Sequence, residues 1–146
     1  MTDMLTVEAA RTAVLERIHA LGDEQVPLAD ALDRHLANDV AAIADNPPHD
    51  NSAMDGYAVR FADTATASGS TPIRLQVIED IPAGTVPQRK VSTGQASRIM
   101  TGAPVPEGAD TVIRVEDTRS EDDWVDILEP EDGVGENIRG QGDDMK

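Results

Sequence analysis

The sequence predicts an α+β fold, in which N-terminal helices are followed by a compact mixed domain of short strands. Two observations support this prediction. Apolar residues recur at helical spacing in the first part of the chain, and short β-like runs follow after Asn46. Gly, Pro, Asn and Asp separate these later runs, as they do in tight turns. With 146 residues, the chain can form one ordinary domain or two small ones.

The first predicted element is an amphipathic helix, with Thr6 as its N-cap and Gly22 as its stop signal. Its apolar residues follow steps of three and four and are Val7, Ala10, Val14, Ile18 and Leu21. A second, shorter helical pattern follows Pro27, and residues 36–43 turn toward extended structure. Because these helices have few obvious partners within the chain, we expect a further domain or a second subunit to cover their apolar stripe.

The remainder of the chain predicts several short strands. Apolar and polar residues alternate over 73–77, which is typical of a half-buried strand. The other candidate strands are 57–60, 97–101, 111–116 and 124–128. We expect a surface loop over 62–70 and a solvated hairpin tip over 120–123.

Charge and composition exclude several classes of partner. The chain has 28 acidic and 12 basic residues, a formal net charge of -16, and no cluster of Lys and Arg, so we expect neither nucleic acid nor an anionic membrane as a partner. The absence of cysteine excludes disulfides and thiolate metal ligands and agrees with a reducing compartment. The N-terminal stretch is charged throughout and contains no membrane-spanning apolar run, so we expect a cytoplasmic protein.

The first candidate site segment is PPHDNSAMDGY at 47–57. Its prolines stiffen the entrance, and the short polar side chains of Asn51 and Ser52 can bond to neighbouring backbone groups. The turn at Asp55-Gly56 can aim the Asp55 carboxylate outward. The same dipeptide is also favoured in ordinary hairpins, so local chemistry leaves both interpretations open.

The second segment, RIMTGAPVP at 98–106, predicts a strand that runs into a Gly- and Pro-containing loop. The hydroxyl of Thr101 can donate to an oxyanion, and Gly102 permits a ligand to approach the backbone closely. An ordinary strand-ending turn is the alternative interpretation.

The third segment, NIRGQGDD at 137–144, combines a cation, two glycines and adjacent carboxylates. Paired carboxylates suit a hard divalent cation such as Mg²⁺, although adjacent surface acids are often simply solvated. Glu116 and Asp117 form a similar pair. With no cysteine and no spaced histidine pair, a zinc site is not expected, and no Gly-x-Ser-x-Gly elbow supports a serine triad.

Taken in order, the strings PPHDNSAMDGYAV, IPAG, RIMTGAPVPEGADTVI, VEDT and NIRGQGDD resemble the molybdopterin molybdenumtransferase family, known as MoeA in bacteria and as the gephyrin E domain in animals. The resemblance runs from Val7 to Lys146 and covers only the front part of a family member. It implies an enzyme that inserts molybdenum from molybdate into adenylylated molybdopterin, releases AMP and uses Mg²⁺ or a similar divalent cation. It also implies a homodimer with a shared cleft, so we expect this chain alone to be inactive.

The resemblance places the family's catalytic positions at Asp55, Thr101 and Asp144, and our own hypothesis makes Asp55 and Asp144 the metal ligands. In the terminal motif of this chain, Asp143 replaces the usual Glu and has a shorter side chain. We further expect substrate contacts from the same three segments, namely from Asn51, Ser52, Arg98, Gly102 and Arg139. Our mechanistic hypothesis is that Asp55 and Asp144 organise a metal-bound water or molybdate while Thr101 hydrogen-bonds an oxyanion.

The resemblance also implies a division of the chain. We expect a helix over 1–26 that packs on another domain, the first piece of an elongated β domain over 27–44, a compact mixed α/β domain over 45–140 that carries the site loops, and the start of a return to the elongated domain over 141–146. Two other functions stay open on the sequence alone, a gephyrin-like scaffolding module and a simple metal- or oxyanion-binding module. Calorimetry with Mg²⁺ and molybdate would distinguish the binding module from an inert scaffold.

Overall fold

A computed structural model describes residues 4–19 and 21–146. The chain divides into two compact units, Met1–Ala41 and Ala42–Lys146. Within the described residues, no helix has the length and apolar character needed to cross a membrane.

The first unit contains the α-helix α1 (Val7–Leu15) and a 3-10 helix (Leu28–Asp30). The predicted N-cap is confirmed, because Thr6 Oγ1 accepts a hydrogen bond from Ala9 N at 3.1 Å. The helix is shorter than predicted: it ends at Leu15, well before Gly22. None of its residues is buried, and without packing against a partner a helix gains little that would extend it. Residue 20, inside the predicted helix, lies outside the described residues.

One further prediction for the first part of the chain is corrected, because the helical pattern after Pro27 forms only the short 3-10 helix. Residues 36–43, predicted to turn toward extended structure, belong to no helix or strand. The apolar side chains here stay exposed, including Val7 at 80% and Ile18 at 64%. Because these side chains stay uncovered among the described residues of the first unit, local propensity largely decides its structure, and propensity is a weak determinant.

The second unit contains eight strands, a short helix α2 (Phe61–Thr64) and a 3-10 helix (Val115–Asp117). The strands are β1 (Asn51–Ser52), β2 (Gly56–Val59), β3 (Ile73–Ile81), β4 (Gln95–Ile99), β5 (Thr111–Arg114), β6 (Thr118–Glu121), β7 (Trp124–Ile127) and β8 (Ile138–Arg139). Six of them form one sheet in the order β5-β2-β4-β3-β7-β6, and β1 pairs with β8 in a separate ladder. In the larger sheet, β3 and β4 run parallel and the other neighbours run antiparallel. The α+β prediction is therefore confirmed.

The six-stranded sheet must curl. Strands β5 and β6 lie at its opposite ends, yet only Val115–Asp117 separates them along the chain. The four Cα steps from Arg114 to Thr118 reach at most about 14 Å. Six flat strands would place these edges about 24 Å apart. The two ends of the sheet therefore approach each other, and the 3-10 helix connects them.

The core of the second unit consists of two buried clusters. The first contains Tyr57, Val59, Ala67, Leu75, Ala96, Ile113, Val125 and Ile127. The second contains Ala58, Ile81, Ile99, Ala103 and Val112. Successive residues of β2 alternate between the clusters, so this strand is buried on both faces. The sheet thereby fixes the position of β2, whose first residue follows Asp55 directly.

Most strand predictions are confirmed, with shifted ends. The predicted strand at 73–77 extends to Ile81 as β3, and the candidates at 57–60, 97–101, 111–116 and 124–128 correspond to β2, β4, β5 and β7. Helix α2 occupies part of the predicted loop over 62–70. Strand β6 was not predicted, because its sequence TRSE is polar and offers no alternating apolar face, as is common for an edge strand.

Candidate functional site

The first segment lies beside the second and is bonded to it by its main chain. The Ser52 N–H donates to the Ala103 carbonyl oxygen at 3.0 Å, and the Ser52 carbonyl oxygen accepts from Gly102 N at 2.8 Å. Farther along, Val105 N donates to the Asp50 carbonyl oxygen at 2.9 Å. These bonds fix the loop that follows Thr101 against the residues that precede Asp55.

The opposite side of the first segment is bonded to the third. Strands β1 and β8 pair antiparallel, with Asn51 opposite Arg139. Ala53 N donates to the Asn137 carbonyl oxygen at 2.8 Å. The first segment therefore lies between the other two, and the fold brings all three predicted site segments together.

Asp55 and Thr101 form the central contact of this assembly. Oδ1 of Asp55 accepts two hydrogen bonds from Thr101, one from the main-chain N–H and one from Oγ1, both at 2.7 Å. The backbone bond, followed by the hydroxyl bond, holds the pKa of Asp55 below its ordinary value. Desolvation opposes this effect by less than either hydrogen bond, and the positive charge of Arg98 makes the smallest contribution, which also lowers the pKa. Asp55 is exposed and ionised at neutral pH.

Strand pairing brings these two residues together. Gly56 begins β2 and pairs with Ile99, the last residue of the antiparallel strand β4. Asp55 precedes the start of β2 and Thr101 follows the end of β4, so both lie at the same end of this strand pair. The hairpin interpretation of Asp55-Gly56 is wrong, because β1 pairs with β8 instead of β2. Glycine is needed at position 56 for another reason: a Cβ there would come closer than 3.0 Å to the carbonyl oxygen of Ile113 in β5.

The lowered pKa of Asp55 predicts a pH-dependent contribution to stability. The ionised Asp55 stabilises the fold above its ordinary, unfolded-state pKa, and this contribution is lost as the pH falls through the lower folded-state pKa. Thr101→Val removes the hydroxyl bond and is expected to lower the unfolding midpoint slightly at neutral pH, since an exposed contact is screened by solvent. Thermal unfolding of both proteins from pH 7 down to about pH 2 checks this expectation. A difference between them that did not shrink in acid would contradict it.

Arg98 and Gly102 are exposed residues near this contact. Arg98 is exposed and has no ion-pair partner among the described residues. Gly102 has φ +81, and apart from its chain neighbours no atom lies within 4 Å of the position that a Cβ would occupy. A ligand can therefore approach the main chain next to Thr101, with a free guanidinium nearby to attract an anion.

Asp144 and Arg139 form a second, separate contact. Both carboxylate oxygens of Asp144 accept from Arg139 Nη2 at 2.9 Å. Asp143 Oδ2 accepts from Gly140 N at 2.6 Å and so closes the turn of its own loop. No hydrogen bond among the described residues joins Asp144 to Asp55. The structure thus brings Asp55 together with Thr101, and Asp144 together with Arg139.

The described residues do not fit a shared divalent cation as they are arranged. They contain no group of three His, Cys, Asp or Glu side chains that could hold a metal ion. Both oxygens of Asp144 are engaged by Arg139, whose positive charge opposes a second cation at the same place. The metal role of Asp55 and Asp144 stays a prediction.

Two of the residues predicted to contact substrate are buried or half-buried. Ser52 is 1% exposed, and its hydroxyl bonds to the main chain of Met54. Asn51 is half-buried in the β1 and β8 ladder. Sequence reasoning also missed the contact of Asp50 Oδ1 with Gln141 N at 2.8 Å, which fixes the third segment. The two residues are 91 positions apart, and no local pattern indicates such a contact.

Asp117, the second acid of the VEDT motif, has a structural role. Asp117 pairs with Arg114 at 2.6 Å, and Val115 N donates to the main-chain oxygen of Asp55 at 3.0 Å. The motif connects β5 to β6, and its hydrogen bond to the carbonyl oxygen of Asp55 helps to fix the main chain at that residue.

A cavity of about 720 Å³ lies in the first unit and contains none of the predicted site residues. Its lining includes Leu21, Leu28 and Leu36, which are each more than three-quarters exposed. It is a gap in a loosely packed unit, unlike the enclosed, preformed pockets that bind small molecules.

Comparison with known proteins identifies consistent relatives. Residues 5–146 match the family model of the MoeA N-terminal region, domain I and II. A molybdopterin molybdenumtransferase of Synechococcus elongatus is 44% identical over 127 residues, which are 86% of this chain and 31% of that protein. The Bacillus subtilis molybdopterin molybdenumtransferase is 44% identical over 126 residues, 84% of this chain and 29% of that protein.

A solved structure agrees with these relatives. The crystal structure of the molybdopterin biosynthesis moeA protein from Pyrococcus horikoshii OT3 matches with a TM-score of 0.73 and 44% identity, over 84% of this chain and 32% of that chain. The chain therefore spans about a third of the length of the relatives it matches.

Proposed function

The chain belongs to the MoeA N-terminal region family, and from this premise we propose that it forms part of the cleft in which a molybdopterin molybdenumtransferase inserts molybdenum from molybdate into adenylylated molybdopterin. The observation that carries the proposal is the contact of Asp55 with Thr101 beside the unpaired Arg98. This arrangement combines the fixed negative charge of Asp55, the hydroxyl of Thr101 and the unpaired guanidinium of Arg98 in one exposed region.

Arg98 is the group proposed to attract the anionic substrate. Molybdate and the phosphates of adenylylated molybdopterin are negatively charged, whereas the chain has a net charge of -16. A free guanidinium with several N–H donors can offset this repulsion at one place and orient an oxyanion. Gly102 leaves room for the oxyanion beside the main chain.

The Asp55 contact refines the role proposed for Thr101. A threonine hydroxyl carries one hydrogen, and here that hydrogen is donated to Asp55. Thr101 therefore presents lone pairs to a ligand, and it can donate to an oxyanion only when the bond to Asp55 is exchanged. Because a depressed pKa makes a carboxylate a weak general base, we propose that Asp55 acts by its fixed charge and by orienting Thr101.

The proposal includes further properties that the family resemblance implies. They are Mg²⁺ or a similar divalent cation, a homodimer in the cytoplasm, and the domain division at 1–26, 27–44, 45–140 and 141–146. A bound cation would offset repulsion between the acidic chain and its anionic substrates, which supports its inclusion. The uncovered apolar side chains of α1 are consistent with a further domain or a second subunit.

Turnover by the full-length enzyme tests the proposal. A full-length enzyme that carries this region is expected to release AMP from adenylylated molybdopterin and to form the molybdenum-loaded pterin when molybdate is supplied. The 146-residue chain alone is expected to show no turnover, because it spans about a third of its relatives. Reactions without molybdate serve as the control, and AMP is measured by chromatography. Molybdenum insertion by the isolated chain, or none by the full-length enzyme, would overturn the proposal.

A further inference from the structure

We propose that Ser52 is a positioning residue, whose buried hydroxyl and main chain hold the first and second segments in the arrangement that lets Asp55 contact Thr101. The effect of this positioning on catalysis rests on the proposed function. The positioning itself is a property of this chain and can be tested without turnover.

The main chain of Ser52 is fixed to the loop that follows Thr101. Its N–H and its carbonyl oxygen bond to Ala103 and Gly102 at 3.0 and 2.8 Å. Both bonds involve a loop that starts directly after Thr101, so a displacement of Ser52 would move the residue next to Thr101. The side chain is 1% exposed, which removes it from contact with a substrate in the open cleft.

The hydroxyl of Ser52 sets the path of the chain toward Asp55. Oγ donates to the Met54 carbonyl oxygen and accepts from Met54 N at 3.2 Å. These two bonds close a turn over the residues between Ser52 and Asp55. Without the hydroxyl, no side-chain atom of Ser52 would bond to the main chain of Met54, so this turn would lose both bonds that close it.

The short loop that carries Asp55 thus has two fixed ends. One end is Gly56, which is bound between β4 and β5 in the sheet. The other end is Ser52, whose hydroxyl is hydrogen-bonded to the main chain of Met54 within the loop. Because Asp55 is exposed and its carboxylate bonds only to Thr101 among the described residues, the 2.7 Å contacts depend on the position of this loop.

Nuclear magnetic resonance provides a test that does not require catalysis. In the 146-residue chain, Ser52→Ala is expected to weaken the hydrogen bond that Thr101 N donates to Asp55 Oδ1, because the loop that carries Asp55 loses the bonds that close its turn. The bond is measured by the chemical shift of the Thr101 amide proton, which is expected to move upfield, and by its exchange with solvent, which is expected to become faster. Ser52→Thr retains the hydroxyl and is expected to restore most of the shift and of the protection from exchange.

Ser97→Ala is the matched control. Ser97 is also a buried serine, at 0% exposure, but its hydroxyl has no hydrogen-bond partner among the described residues. The same substitution there is expected to leave the shift and the exchange rate of the Thr101 amide proton unchanged. In the full-length enzyme, Ser52→Ala is expected to lower kcat by up to about 100-fold with little change in KM, since a misplaced catalytic group slows the reaction more than it weakens binding.

The outcomes separate this inference from the proposed function. An unchanged Thr101 amide proton in Ser52→Ala, an equal change in Ser97→Ala, or a general loss of spectral dispersion would each overturn the positioning role. If the Thr101 amide proton changes while the full-length Ser52→Ala enzyme keeps its activity, the positioning role stands and its consequence for catalysis fails.

Discussion

Gly56→Ala is expected to destabilise the second unit by about 3 kcal/mol or more, a loss at the upper end for overpacking substitutions. A Cβ at this position would come closer than 3.0 Å to the main-chain carbonyl oxygen of Ile113, a separation that real Cβ atoms essentially never show. A main-chain atom in the middle of β5 cannot rotate away as the end of a flexible side chain can. The two strands must therefore separate, which weakens the pairing of Gly56 with Arg114.

Urea denaturation followed by circular dichroism measures the free energy of unfolding. Gly69→Ala is the matched control, since Gly69 has no positive φ and no atom near the position of an added Cβ. Gly69→Ala is expected to change stability by less than about 0.5 kcal/mol. A Gly56→Ala protein as stable as the Gly69→Ala protein would show that β2 and β5 do not approach each other as closely as described.

Asp55→Asn is expected to lower molybdenum insertion by the full-length enzyme by about 100-fold or more, the size of effect seen when a fixed electrostatic partner is removed from an active site. The substitution keeps the shape of the side chain, and the amide oxygen can still accept the hydrogen bonds from Thr101. It removes the negative charge that these bonds stabilise. The change therefore tests the charge of Asp55 separately from its structural contacts.

The insertion rate is measured as AMP released and as molybdenum bound to the pterin. Asp122→Asn is the control for loss of one acidic group, because Asp122 lies at the tip of the β6 and β7 hairpin, and asparagine tolerates its φ of 51. Asp122→Asn is expected to retain full activity. An Asp55→Asn enzyme with unchanged insertion would remove Asp55 from the catalytic mechanism.

Local patterns predicted most of the fold of the second unit. The alternation over 73–77 identified β3, because side chains of a strand point to opposite faces and one face is buried. The same reasoning was insufficient where no partner covers the chain: α1 ends at Leu15 although its apolar period continues. It also failed for β6, whose polar sequence forms a strand only because β7 pairs with it.

The sequence by itself determined the fold class, the N-cap at Thr6 and, through the order of its motifs, the family to which the chain belongs. Only the tertiary structure decided which site residues meet. Asp55 and Thr101 are 46 positions apart, and their contact follows from the pairing of β2 with β4. Periodicity and turn chemistry are local properties, whereas a hydrogen bond between distant segments depends on how strands pair and curl. For the same reason, Asp55-Gly56 has the sequence of a hairpin turn, whereas in the fold Gly56 is the residue at which β2 and β5 approach each other closely.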